Sequence, residues 1–126
     1  MAGANSFGVF NEEELKKIIK ATSGFFRKSA RKAIARSLLE TKTEIEHARK
    51  LDASKRRDTL VVLANRATEN RHVALQAGAN SYSHPQWAAA AACETWLHSL
   101  VLHGDGQIDD VALSRIEYLI HQLMRK

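Results

Sequence analysis

Residues 85–103 have the sequence PQWAAAAACETWLHSLVLH, which is the clearest indication of how this 126-residue chain folds. As a helix, the stretch is apolar on nearly every side, with polar breaks at Glu94, Thr95 and His98. A helix that is hydrophobic all round is normally buried by other elements. We therefore expect an Ala/Trp-rich helix near 85–103 at the centre of a helical bundle.

Local signals mark both ends of the loop that precedes this helix. Gly78 is placed to end the preceding helix, since glycine readily adopts the left-handed conformation found after helix C-termini. Ser83 and Gln86 have the spacing of a capping box. Tyr82 is placed to pack on Trp87 as a hydrophobic staple. These signals predict a short loop between two helices.

The segments around the central helix have helical periodicity. Neither Gly nor Pro occurs over the 53 residues between Gly24 and Gly78, and apolar residues recur there at steps of three and four. The pattern predicts further helices over about 11–23, 25–40, 60–77 and 109–124, and leaves Thr41–Arg57 open between helix and turn. The expected fold is an all-α, single-domain bundle of about five helices over 11–126, preceded by a flexible segment, 1–10.

Charge is the most informative term of the composition. The net charge is +5, and residues 1–72 hold 16 of the 19 Lys and Arg but 9 of the 14 Asp and Glu. No acidic residue occurs between Leu15 and Leu39, where eight bases make an amphipathic, basic helical region. We take these eight as the candidate contacts to an anionic partner: Lys16, Lys17, Lys20, Arg27, Lys28, Arg31, Lys32 and Arg36.

The basic half leads to two alternative functions. The first is a non-catalytic helical interaction module, an accessory or assembly subunit, that docks an acidic protein surface. The alternative is a nucleic-acid-binding protein that contacts phosphates through residues 16–36. That stretch contains no Asn or Gln to read base edges, which favours contact with the RNA or DNA backbone. The alanine run 88–92 permits helices to approach closely, either within the domain or across a homo-oligomer. The sequence does not decide the oligomeric state.

The sequence gives little support for an enzyme or a metal-binding protein. Cys93 lies in an apolar, alanine-rich helix, where a thiol is normally inert. Glu94/His98 and Glu117/His121 are i,i+4 pairs, but none of the six histidines has a diagnostic metal-ligand spacing. Residues 103–109 lack most oxygen ligands of a calcium loop and predict a turn that caps the last helix. We expect no catalytic residue, no metal and no cofactor.

Two further expectations concern location. The longest apolar stretch, Ala88–Cys93, is far shorter than the roughly 20 residues of a transmembrane helix, and the first residues carry no secretory signal. The single cysteine excludes an internal disulfide. We expect a cytoplasmic protein with no transmembrane segment.

Overall fold

A computed structural model of the chain describes residues 12–23, 27–102, 108 and 110–125. These residues form helices and no strand, which confirms the predicted all-α bundle. The predicted flexible segment, 1–10, and the predicted turn at 103–107 and 109 lie outside the described residues. The five helices are α1 (Glu12–Ala21), α2 (Lys28–Arg49), α3 (Ala53–Gln76), α4 (Pro85–Leu102) and α5 (Asp110–Met124).

Helix α4 is the central element, as the sequence predicts. It packs against both α2 and α3, which share fewer contacts with each other than either shares with α4. Trp96 and Leu97 are each 1% exposed, and most of the alanine run is buried in the same core. The small side chains of Ala88 and Ala92 therefore let helices approach closely within the chain itself.

The segment left open by the sequence, Thr41–Arg57, divides between two helices. Helix α2 does not end near Glu40 as expected but runs to Arg49, because Ile45 and Ala48 continue its buried face. After a turn at 50–52, Asp52 caps α3 by accepting a hydrogen bond from the backbone N–H of Lys55 at 2.9 Å. The expected start of this helix near residue 60 was wrong because the cap, and not an apolar residue, begins it.

The loop between α3 and α4 follows the predicted signals in part. Gly78 adopts φ +94°, and the N–H of Ala79 donates to the carbonyl of Ala74 at 2.9 Å, so glycine ends α3 as expected. The rings of Tyr82 and Trp87 pack edge to face with centroids 5.2 Å apart, which confirms the predicted contact between these two side chains. Ser83 differs from the prediction, because its hydroxyl lies 2.6 Å from that of Ser81 and α4 begins at Pro85.

Helix α5 runs antiparallel to α2, since Lys42 pairs with Glu117 and Arg49 pairs with Asp110, and it also contacts α1. Its predicted apolar face, including Ile116 and Leu119, is buried. Ile18 of α1 and Thr22, which directly follows α1, are buried, and the Thr22 hydroxyl donates to the carbonyl of Ile18 at 2.7 Å. Contacts thus link α3 to α4, α4 to α2, α2 to α5 and α5 to α1, and α2 also touches α3. Among the described residues, no helix is long and apolar enough to cross a membrane.

Candidate anion-docking surface

Three of the eight candidate bases form a row along α2. Lys28, Lys32 and Arg36 are exposed and follow one another at four-residue steps, so they lie on one side of the helix. The opposite side carries Ile34 and Leu38, which are fully buried. The first turn of α2 contains no acidic residue. We call Lys28, Lys32 and Arg36 the α2 row.

The α2 row has no ion pair with any described residue. Elsewhere in the fold, bases lie beside carboxylates: Arg49 is 2.7 Å from Asp110, and Arg66 is 3.5 Å from Glu44. These carboxylates offset the positive charge of Arg49 between α2 and α5 and that of Arg66 between α3 and α2. The positive charge of the α2 row is not balanced in this way, and it faces solvent.

The second group of exposed bases lies on α1. Lys16, Lys17 and Lys20 are all exposed and occupy the side of α1 away from the buried Ile18. Because α1 packs against α5, these lysines belong to a different helix face from the α2 row. The structure thus places six of the eight predicted bases in solvent but divides them into two groups.

The remaining two candidates, Arg27 and Arg31, are half-buried at the start of α2. A guanidinium N–H of Arg31 donates to the backbone carbonyl of Thr22, directly after the end of α1. Carbonyls at a helix C-terminus lack partners within the helix, so a cation stabilises them. Arg31 therefore joins α1 to α2, a role that sequence reasoning missed. Arg27 is the residue before α2 and makes no side-chain capping hydrogen bond.

The two Glu/His pairs considered for a metal have their glutamates in ion pairs with other helices. Glu94 accepts hydrogen bonds from the Arg71 guanidinium at 2.6 Å and from the Thr68 hydroxyl at 2.5 Å. Burial tends to raise the pKa of Glu94, but these hydrogen bonds and the positive charge of Arg71 outweigh it and lower the pKa. In the described part of the chain, no three metal-ligating side chains come together.

Glu117 likewise lies 3.4 Å from Lys42 of α2, which is also 3.2 Å from Glu46. Burial works against the charge of Lys42, but the hydrogen bonds and the attraction of both carboxylates prevail and raise its pKa. This three-residue network stabilises the packing of α5 on α2.

Cys93 has the environment of a structural thiol. Its sulfur is buried and lies 3.5 Å from the hydroxyl of Thr41. Burial is the main cause that raises the pKa of Cys93 to about 11. The thiol is therefore protonated at neutral pH, whereas a nucleophilic cysteine must be a thiolate.

Two surface recesses were not predicted from the sequence. One is a cleft of about 400 Å³ between α2, α3 and α4, with Glu40, Glu44 and Arg66 at its polar edges. The other is a groove of about 590 Å³ between α1 and α5, lined mainly by apolar surface. Its apolar side chains include Val111 and Tyr118, seven residues apart on the exposed side of α5. We call this recess the α1–α5 groove.

Comparisons with protein-family models, with curated proteins and with solved structures find no significant match to this chain.

Proposed function

We propose that this chain is a non-catalytic helical interaction module that docks an anionic partner through the exposed bases of α1 and α2. The observation that carries the proposal is the α2 row. Lys28, Lys32 and Arg36 face solvent one helical turn apart, and no described acidic residue pairs with them. Bases that serve only to keep a surface hydrated do not need this uniform sign along one line.

The position of the row within α2 supports the same proposal. The N-terminus of a helix carries a partial positive charge, so a nearby cation is unfavourable by about 0.3–1 kcal/mol at an exposed site. Lys28 is the first residue of α2 and lies in the turn where acidic residues are normally preferred, and Lys32 follows one turn later. A bound carboxylate or phosphate would relieve this repulsion and also interact favourably with the helix N-terminus.

The experiment is a binding titration of the full chain, followed by fluorescence anisotropy. The probes are a labelled polyglutamate peptide and labelled single- and double-stranded oligonucleotides, each at low and near-physiological salt. The test variant is Lys28→Glu/Lys32→Glu. The matched control is Lys50→Glu/Lys55→Glu, which makes the same change in net charge at two other exposed lysines. Circular dichroism checks that both variants fold.

The proposal predicts that at least one anionic probe binds, that salt weakens the binding, and that the test variant weakens it about tenfold more than the control. Preference for polyglutamate supports a protein partner. Preference for an oligonucleotide supports the alternative, a nucleic-acid partner contacted through its phosphates. The proposal fails if neither class of probe binds at low salt. It also fails if the two variants weaken binding equally, since net charge alone then explains it.

A further inference from the structure

We infer that the α1–α5 groove binds a single amphipathic helix of the partner, with the apolar side of that helix in the groove and an acidic edge along α1. This inference rests on the proposed function, because it takes the partner to be anionic. It adds the secondary structure of the docked segment and the place where it docks.

The α5 wall has the spacing of a helix-binding surface. Val111 and Tyr118 are 57% and 54% exposed although the other side of α5 is buried. They are separated by two helical turns, or roughly 10 Å along the axis, and Ser114 lies between them on the same wall. A docked helix presents its own apolar residues at steps of three, four and seven, which match this repeat.

The α1 wall supplies a second apolar contact and the charge. Ile19 is partly buried and lines the groove together with Lys16. Lys20 lies one turn beyond Lys16 and is also exposed. Neither lysine forms an ion pair with a described residue. An occupant with carboxylates along this edge would therefore meet two cations one turn apart.

The acidic residue at the groove does not reverse this preference. Asp110 lines one end, but its carboxylate lies 2.7 Å from the guanidinium of Arg49. Its charge is thus largely balanced by α2. Lys16 and Arg115 line the groove, and Lys20 is exposed one turn beyond Lys16, so the bases at this edge would repel a basic occupant. The shape and the charge together favour an acidic amphipathic helix.

The test uses the full chain and three labelled peptides of about 16 residues, long enough for four helical turns. The first peptide has leucines at helical steps of three and four and glutamates on both flanks. The second has lysines in place of the glutamates, and the third has the first peptide's composition in scrambled order. Saturable binding is measured by anisotropy up to about 100 μM, which covers weak transient complexes.

A pair of variants locates the bound peptide. Val111→Asp/Tyr118→Asp changes two exposed residues of the groove. Val62→Asp/Val73→Asp is the matched control, because these valines of α3 are 57% and 52% exposed and away from the groove. All four side chains are already in contact with solvent, so circular dichroism is expected to show folded protein in both cases.

We expect the glutamate-flanked peptide to bind and the other two peptides to bind at least about tenfold more weakly. We expect Val111→Asp/Tyr118→Asp to weaken binding of the glutamate-flanked peptide about tenfold more than Val62→Asp/Val73→Asp does. Equal binding by both variants, or no saturable binding of the first peptide, overturns the inference. If polyglutamate still binds and Lys28→Glu/Lys32→Glu abolishes that binding, the groove inference fails while the proposed function stands. If polyglutamate and oligonucleotides also fail to bind, the proposed function fails as well.

Discussion

The ion pair between Arg71 and Glu94 is expected to stabilise the packing of α3 on α4 by about 1.5 kcal/mol, measured as a coupling energy. The perturbation is a double-mutant cycle with Arg71→Met, Glu94→Gln and the double variant. The side chains of Arg71 and Glu94 are 26% and 14% exposed, and two hydrogen bonds of 2.6 and 3.3 Å join them. The pair is therefore largely shielded from solvent but not isolated from it.

The magnitude follows from this partial burial. Two unit charges about 4 Å apart attract by about 4 kcal/mol at an effective dielectric constant of about 20. Desolvation of both groups offsets more than half of this attraction, so a net coupling of about 1.5 kcal/mol remains, at the lower end of the range for hydrogen bonds to charged groups. The comparison pair, Arg66 and Glu44, is separated by 3.5 Å with side chains 57% and 46% exposed. Exposed pairs of this kind contribute about 0–1 kcal/mol.

The assay is urea unfolding followed by tryptophan fluorescence, since Trp96 is buried and will report the loss of the core. The folded-state pKa of Glu94 is depressed below its ordinary value of 4.5, so its stabilising effect is complete above that value and is lost as the pH falls through the folded-state pKa. The coupling should thus be full at pH 7 and vanish in acid. A coupling no larger than that of the Arg66–Glu44 pair at pH 7, or one that persists unchanged in acid, would refute this reasoning.

Experiments at four other residues test the fold. Asp52→Ala should cost about 1 kcal/mol by removing the cap of α3, as measured by urea unfolding; an unchanged midpoint would contradict the capping role. Gly78→Ala should lower the free energy of unfolding by about 1 kcal/mol, because alanine is strained at the positive φ of this position. The added Cβ would meet no atom within 4 Å, so the backbone conformation is the cause of the loss. Gly78→Asn should lower it less, because asparagine tolerates this conformation better. Leu97→Ala should destabilise by about 2–5 kcal/mol because it leaves a cavity beside α4, and a smaller loss would show that the core closes around it. Cys93, with its pKa raised to about 11, should react with a thiol reagent far more slowly in the folded than in the urea-unfolded chain at pH 8, and equal rates would rule out the buried position.

The central helix could be predicted because its sequence is apolar on every side, a signal that does not depend on knowing its neighbours. The joint between α2 and α3 could not be predicted with the same success. Residues 41–44 are polar, so the sequence shows that Ile45 and Ala48 fit a short helix but not that this helix is the continuation of α2. Residues 53–59 contain no large apolar side chain, and Asp52 alone marks the start of α3.

The candidate site shows the same division between local and long-range information. The α2 row could be predicted, since a four-residue spacing of bases is a property of one helix. The α1–α5 groove could not be predicted, because Ile19 lines it together with Val111 and Tyr118, which are far away in the sequence. The role of Arg31 was equally hidden, since its partner is a backbone carbonyl that any residue type could supply.

The central place of α4 also has a consequence for the growing chain during synthesis. Helices α2 and α3 share few contacts and bury their apolar faces mainly on α4, which is translated after both. At about 5–20 residues per second, the interval before α4 is complete lasts on the order of seconds. The part of the chain exposed during that time holds 16 of the 19 bases. Like charge on such segments is expected to oppose association between neighbouring nascent chains while their apolar faces are uncovered.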